Sequence, residues 1–229
     1  QRLAEDHWLL GDGWQWPLLL APLALLAIAA WRRPATVAWP AGERFAGYRA
    51  AWLALAGILL GLAWLGVQFA PGDSTPLPWL PLLNPLELMI VAALVLAAKA
   101  LRGRPGASLA WSAWAGAAWL ALTLGVLRAC HQLAMLPWSP EILSSRLAQA
   151  SLTVAWCVAG VVAWILGSRR RNRVLWWFGA GLLGVVLLKL LVVDRQFLGN
   201  VTGIVSFVAV GLLLIVVGRI APTPPRPQE

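Results

Sequence analysis

Seven apolar stretches, each about as long as a hydrocarbon layer is thick, fill most of this 229-residue chain, so its fold must satisfy lipid before it satisfies water. A hydrocarbon core of roughly 30 Å takes about 20 helical residues. Backbone polar groups find no water there, which leaves helices or a closed barrel as spanning structures, and the short alternating segments of a barrel are absent. The sequence therefore predicts an all-α, polytopic integral membrane bundle of about seven transmembrane helices, at about 15–31, 48–69, 86–101, 109–127, 147–167, 174–193 and 201–219. No soluble domain separates them, so 1–220 reads as a single transmembrane domain and 221–229 as a disordered proline-rich tail. Turn and breaker residues mark the connections: Arg32-Arg33-Pro34, Pro71-Gly72-Asp73, Arg102 through Gly106, and Gly199-Asn200.

Composition agrees. Apolar residues reach 60%, charged residues only 12%, and the mean hydropathy is +0.75, outside the range of a soluble globular domain. Sixteen tryptophans stand against one tyrosine. Those near span ends (Trp14, Trp16, Trp31, Trp39, Trp79, Trp138) suit interfacial anchoring, whereas Trp114 and Trp156 suit packing. The net charge of +9 does not point to nucleic acid, because the cations flank spans instead of covering a soluble surface. Sorted by alternate connections, Arg32, Arg33, Arg44, Arg49, Lys99, Arg102, Arg104, Arg169, Arg170, Arg171, Arg173, Arg219 and Arg226 fall on one side. Arg2, Arg128, Arg146, Lys189 and Arg195 fall on the other. The rule that cations collect on the cytoplasmic side then predicts an outside N-terminus and a cytoplasmic C-terminus. Gln1, with no cleavage pattern in the first apolar run, reads as a processing boundary with sequence upstream. Cys130 and Cys157 lack the spacing of a zinc site, and no cofactor or metal is expected.

Glycines at helical spacing offer close-packing faces: Gly57 with Gly61, Gly179 with Gly181 and Gly184, and Gly203 with Gly211 and Gly218. Polar residues concentrate where the predicted helices meet the extracytoplasmic side. Asn84-Pro85-Leu86-Glu87 has the order of an N-cap, a first-turn proline and a capping-box glutamate, and Ser139-Pro140-Glu141 resembles another helix start. Arg128 and His131 share a face if their helix extends through both, which would set a fixed cation beside a group titrating near neutrality. The alternative is an arginine snorkelling to headgroups and a histidine in a wet loop. Gln149, four residues after Ser145, can point with it into the bundle, either as a ligand group or as an interhelical lock. Lys189 places an ammonium inside Leu187-Leu188-Lys189-Leu190-Leu191, where an unpaired charge is expensive. An ion pair with Asp194, snorkelling and ligand or proton handling all remain open for it. Asn200, Thr202 and Ser206 open the seventh span.

Several strings together give a family likeness: Trp16-Pro17, Leu80 through Leu88 with Asn84 and Glu87, Arg128 with His131, Ser145 through Trp156 with Gln149 and Ser151, Gly179 through Asp194, and Ile204 through Phe207 before Gly211. On these the chain resembles the carboxy-terminal portion of large bacterial membrane proteins known as domain of unknown function 2339. The resemblance implies an integral membrane protein of the bacterial cell envelope, a fragment or a short relative of longer chains, and it implies no activity.

Phosphate-cradling loops, His-Glu-x-x-His and nucleophile elbows are absent, which argues against nucleotide chemistry. The reading that follows is a membrane-embedded module recognising a lipid or glycolipid at the outer-leaflet edge, with Arg128 and Lys189 meeting an anionic headgroup. Asn84, His131, Gln149, Ser206 and Asp194 would complete the site. The alternatives are an envelope glycan- or lipid-modifying enzyme with His131 as general base, and a transporter or channel subunit passing charge by Lys189 and Asp194.

Overall fold

The computed structural model describes residues 11–39, 42–103 and 106–192, together with 208, 211, 212 and 215. Its described secondary structure is helical: α1 (Asp12–Arg32), α2 (Pro34–Val37), α3 (Phe45–Val67), α4 (Pro85–Leu101), α5 (Ser108–Ala134), α6 (Arg146–Arg169) and α7 (Arg173–Val192), with 3-10 turns at Gly42–Arg44 and Pro140–Ser144. The molecule is a helical membrane bundle. Among the described residues, five helical segments are long and apolar enough to cross a membrane: Asp12–Arg32, Gly42–Val67, Ser108–Ala134, Arg146–Arg169 and Arg173–Leu190. α4, with 17 residues, is shorter at about 25 Å. Of the seven expected spans, the first six fall on helices, and the seventh lies outside the described residues apart from four positions, as does the 221–229 tail.

By contacts between its helices the chain divides into two compact units, Gln1–Arg102 and Gly103–Glu229. In the first, α1 packs on α3 and α4. α1 begins earlier than expected, so Pro17 and Pro22 both lie inside it. Its N-terminus is pressed against the loop after α3, where Gly13 N–H donates to Asp73 O and Gly11 N–H to Thr75 O, both at 2.9 Å. Asp12 Oδ1 accepts from Asp73 N–H at 2.6 Å, and Trp14 Nε1–H donates to Ser74 O at 3.2 Å. A Cβ on Gly13 would stand 2.5 Å from Asp73 O, which is why glycine is required there. At the other end of α1, Arg49 of α3 donates from Nε to Ala30 O and from Nη2 to Trp31 O, each at 2.9 Å. It thereby satisfies carbonyls that the helix end leaves open. Trp64 Nε1–H reaches Ile90 O of α4 at 3.3 Å.

In the second unit, α6 and α7 form a hairpin with their backbones in contact. A Cβ on Gly179 would lie 2.4 Å from Trp164 N, and one on Gly167 equally close to Trp176 N. Gly160 faces Leu183 in the same seam. Gly179 therefore packs as expected. Gly57, Gly61, Gly181, Gly184 and Gly211 face open space among the described residues, so periodic spacing alone misplaced those packing faces. Cys157, Leu183, Val186 and Leu190 make one buried cluster of this unit, and Leu127, Cys130, Ile142, Ala148 and Leu152 the other. Trp156 packs on both. Its Nε1–H donates to Thr123 Oγ1 at 3.0 Å, and its ring lies 5.2 Å from that of Trp119, which joins α5 to α6. Many large exposed side chains along the spans, such as Leu55, Ile58, Leu59, Leu62, Val154, Val158 and Val162, are aliphatic, as suits a lipid-facing surface.

Candidate functional site

One end of the second unit gathers most of the polar residues singled out from the sequence. The C-terminus of α5, the N-terminus of α6 and the C-terminus of α7 meet there, with the 3-10 turn Pro140–Ser144 between the first two. α5 runs through Ala134, about two turns past its expected end, because Leu127 and Cys130 are buried against Ile142, Ala148 and Leu152 and no breaker intervenes. It stops where Met135 turns left-handed (φ 54°), two residues before Pro137.

That extension fixes Arg128 and His131 on a helix, as the shared-face reading required. Arg128 is fully buried, with 0% exposure, so it does not snorkel out to headgroups. His131 is half-buried and is not a loop residue. Its Nδ1 stands 2.5 Å from Leu136 O, and its ring lies 5.7 Å from that of Trp138. A carbonyl can only accept, so Nδ1 carries the proton, and in the neutral ring Nε2 keeps the lone pair.

Lys189, half-buried near the end of α7, reaches across to α6. Its Nζ donates to Thr153 Oγ1 at 2.6 Å and to Gln149 O at 3.2 Å, while the Thr153 hydroxyl donates to the same Gln149 carbonyl at 2.9 Å. The interhelical polar lock thus exists, but it is built by Lys189 and Thr153. The Gln149 amide instead turns back along its own chain, donating from Nε2 to Leu143 O at 2.5 Å. Ser145 sits at the N-cap of α6 without a side-chain capping bond. Thr153 was missed in the sequence, although it follows Gln149 by one helical turn and so lies on the same face.

Asn84 lies in the first unit. Its Oδ1 accepts from Glu87 N–H at 2.9 Å and its Nδ2 donates to Leu80 O at 3.5 Å, so both ends of the amide serve the start of α4. The Glu87 carboxylate accepts from Leu82 N–H, which ties the preceding loop to the start of α4. At Ser139-Pro140-Glu141 the helix start is a 3-10 turn, and the Ser139 hydroxyl makes no capping bond. Asp194 and Ser206 lie outside the described residues. Cys130 and Cys157 are buried free thiols, each inside a hydrophobic cluster.

Chemically, this end of the second unit is cationic. Arg128, Arg146 and Lys189 stand there against the single described carboxylate of Glu141, with a half-buried imidazole beside them. Such a surface suits an anionic headgroup bearing hydrogen-bonding oxygens. The sequence profile of one family, described as "Predicted membrane protein (DUF2339)", matches residues 2–224. No curated protein and no solved structure matches the chain.

Proposed function

Since the chain belongs to the DUF2339 family of predicted membrane proteins, we propose that it is a membrane-embedded module that recognises the anionic head of an amphiphilic envelope component, a lipid or glycolipid, at the cationic end of α5, α6 and α7. The proposal places the chain in a bacterial inner membrane with that end outward and the N-terminus outside, following the charge asymmetry of the connections. The observation that supports it most is the Lys189 ammonium, held 2.6 Å from Thr153 about one turn before the end of α7. Buried Arg128 contributes field from within and shapes the site, while Lys189 makes the contact. Asp194, Ser206 and Asn84 belong to this proposal as further polar groups on the same side of the membrane.

Native mass spectrometry of the purified full chain tests it. Wild type is expected to carry one more anionic lipid than Lys189→Met, and Leu188→Met as many as wild type; an unchanged number on Lys189→Met overturns the reading.

A second reading, an enzyme modifying envelope lipid or glycan, draws on the His131 geometry: Nδ1–H pinned to Leu136 O presents Nε2 as a base. Membranes containing wild type would then convert a lipid species that membranes containing His131→Gln leave intact. Identical lipid profiles exclude it.

A further inference from the structure

The opposite end of the α6–α7 hairpin carries a second feature. Arg169, Arg170, Arg171 and Arg173 place four guanidinium groups within five residues, all exposed, and among the described residues none of these side chains makes a hydrogen bond or ion pair. Arg169 ends α6, where a cation suits the helix dipole. Two of the others stand where local structure disfavours them. Arg171 is left-handed (φ 51°), a conformation that favours glycine or asparagine. Arg173 opens α7, whose first turn has no acidic residue, so its charge opposes the positive end of the helix dipole.

The turn itself is rigid. Asn172 N–H donates to Gly167 O at 2.8 Å, Asn172 Oδ1 caps α7 by accepting from Leu175 N–H at 3.1 Å, and the helices touch backbone to backbone at Gly167. Trp177 is exposed one turn into α7, stacked edge-on to Trp176 at 5.0 Å, in the position of an interfacial anchor. Four exposed cations carried by a hydrogen-bonded tight turn, one helical turn from an exposed tryptophan suited to an interface, are complementary to phosphate at a bilayer surface.

We propose that the Arg169–Arg173 turn is a binding site for anionic phospholipid headgroups, separate from the cationic end at Lys189, which lies 16 residues and about 24 Å further along α7. The shape of the turn is set before the lipid arrives, so its arginines serve as a preformed clamp. Each cation near an anionic surface is worth about fivefold in affinity.

The full chain in detergent, titrated with phosphatidylglycerol or with phosphatidylcholine of the same acyl chains and read by native mass spectrometry, tests the site. Wild type is expected to prefer phosphatidylglycerol at least about tenfold. In a Lys189→Met background, which removes the site proposed above, a preference of at least about tenfold should remain, and adding Arg169→Gln, Arg170→Gln, Arg171→Gln and Arg173→Gln should lower it to less than about twofold, so the two sites are read separately. Arg171→Gly should unfold at a higher temperature yet lose about fivefold of the preference, which a purely structural role for that arginine would not do. If the quadruple variant does not insert, Arg170→Gln with Arg171→Gln gives the same reading with a smaller loss. An undiminished preference in these variants, no preference in wild type, or full displacement of the lipid by millimolar glycerol phosphate each overturns the proposal.

Discussion

At the scale of single residues, the chain spends hydrogen bonds where burial makes them necessary. Lys189 is the clearest case, because a charge at membrane depth is tolerated only with partners, and α6 supplies Thr153 Oγ1 and Gln149 O. Thr153→Val keeps the shape and removes the hydroxyl, so it should destabilise the detergent-solubilised protein by about 1–2 kcal/mol. The same change in a Lys189→Met background should cost much less, and a thermal double-mutant cycle measures that coupling. Lys189 was recognisable in the sequence because an ammonium inside a leucine run has no apolar explanation. Thr153 was not, because a threonine in a membrane helix can always satisfy itself on its own backbone, as Thr123 does on Trp119 O at 2.8 Å.

At the scale of elements, composition identified the spans, but only packing fixed their ends and seams. α5 runs on through Arg128 and His131 because apolar residues between them find a buried cluster, a tertiary reason that hydropathy does not contain. Glycine spacing was an equally incomplete guide. Gly61 and Gly179 look alike in sequence, yet an added methyl at Gly61 meets nothing within 4 Å while one at Gly179 meets backbone at 2.4 Å. Gly179→Ala should therefore force α6 and α7 apart and cost about 1–3 kcal/mol. Gly61→Ala should be neutral or stabilise by up to about 1 kcal/mol through helix propensity. Unfolding temperatures of the two variants decide this. Arg49→Lys is expected to lower stability by about 1 kcal/mol, since one ammonium cannot reproduce the two-pronged closure of α1 on Ala30 O and Trp31 O.

At the scale of the whole molecule, charge asymmetry predicts which end of each helix faces which compartment, and the site proposed at Lys189 depends on it. In a Cys130→Ser, Cys157→Ser background, the exposed position Ser144→Cys should react with an impermeant maleimide on intact cells and Arg170→Cys only after permeabilisation. The opposite pattern would put the Lys189 end in the cytoplasm and remove an outer-leaflet ligand from consideration. The division into two compact units, Gln1–Arg102 and Gly103–Glu229, left no trace in composition, because lipid makes every span look alike and only contacts between helices distinguish partners.

One contact within the first unit bears on how the chain is made. The amide of Gly13 is bonded to a carbonyl at Asp73, 60 residues further along, so α1 is synthesised before the segment that fastens its N-terminus. At a synthesis rate of about 5–20 residues per second, roughly 3–12 s separate the two sides of this contact as the chain is made. Synthesis of α1 and its final seating are thus separate events in the life of each nascent chain.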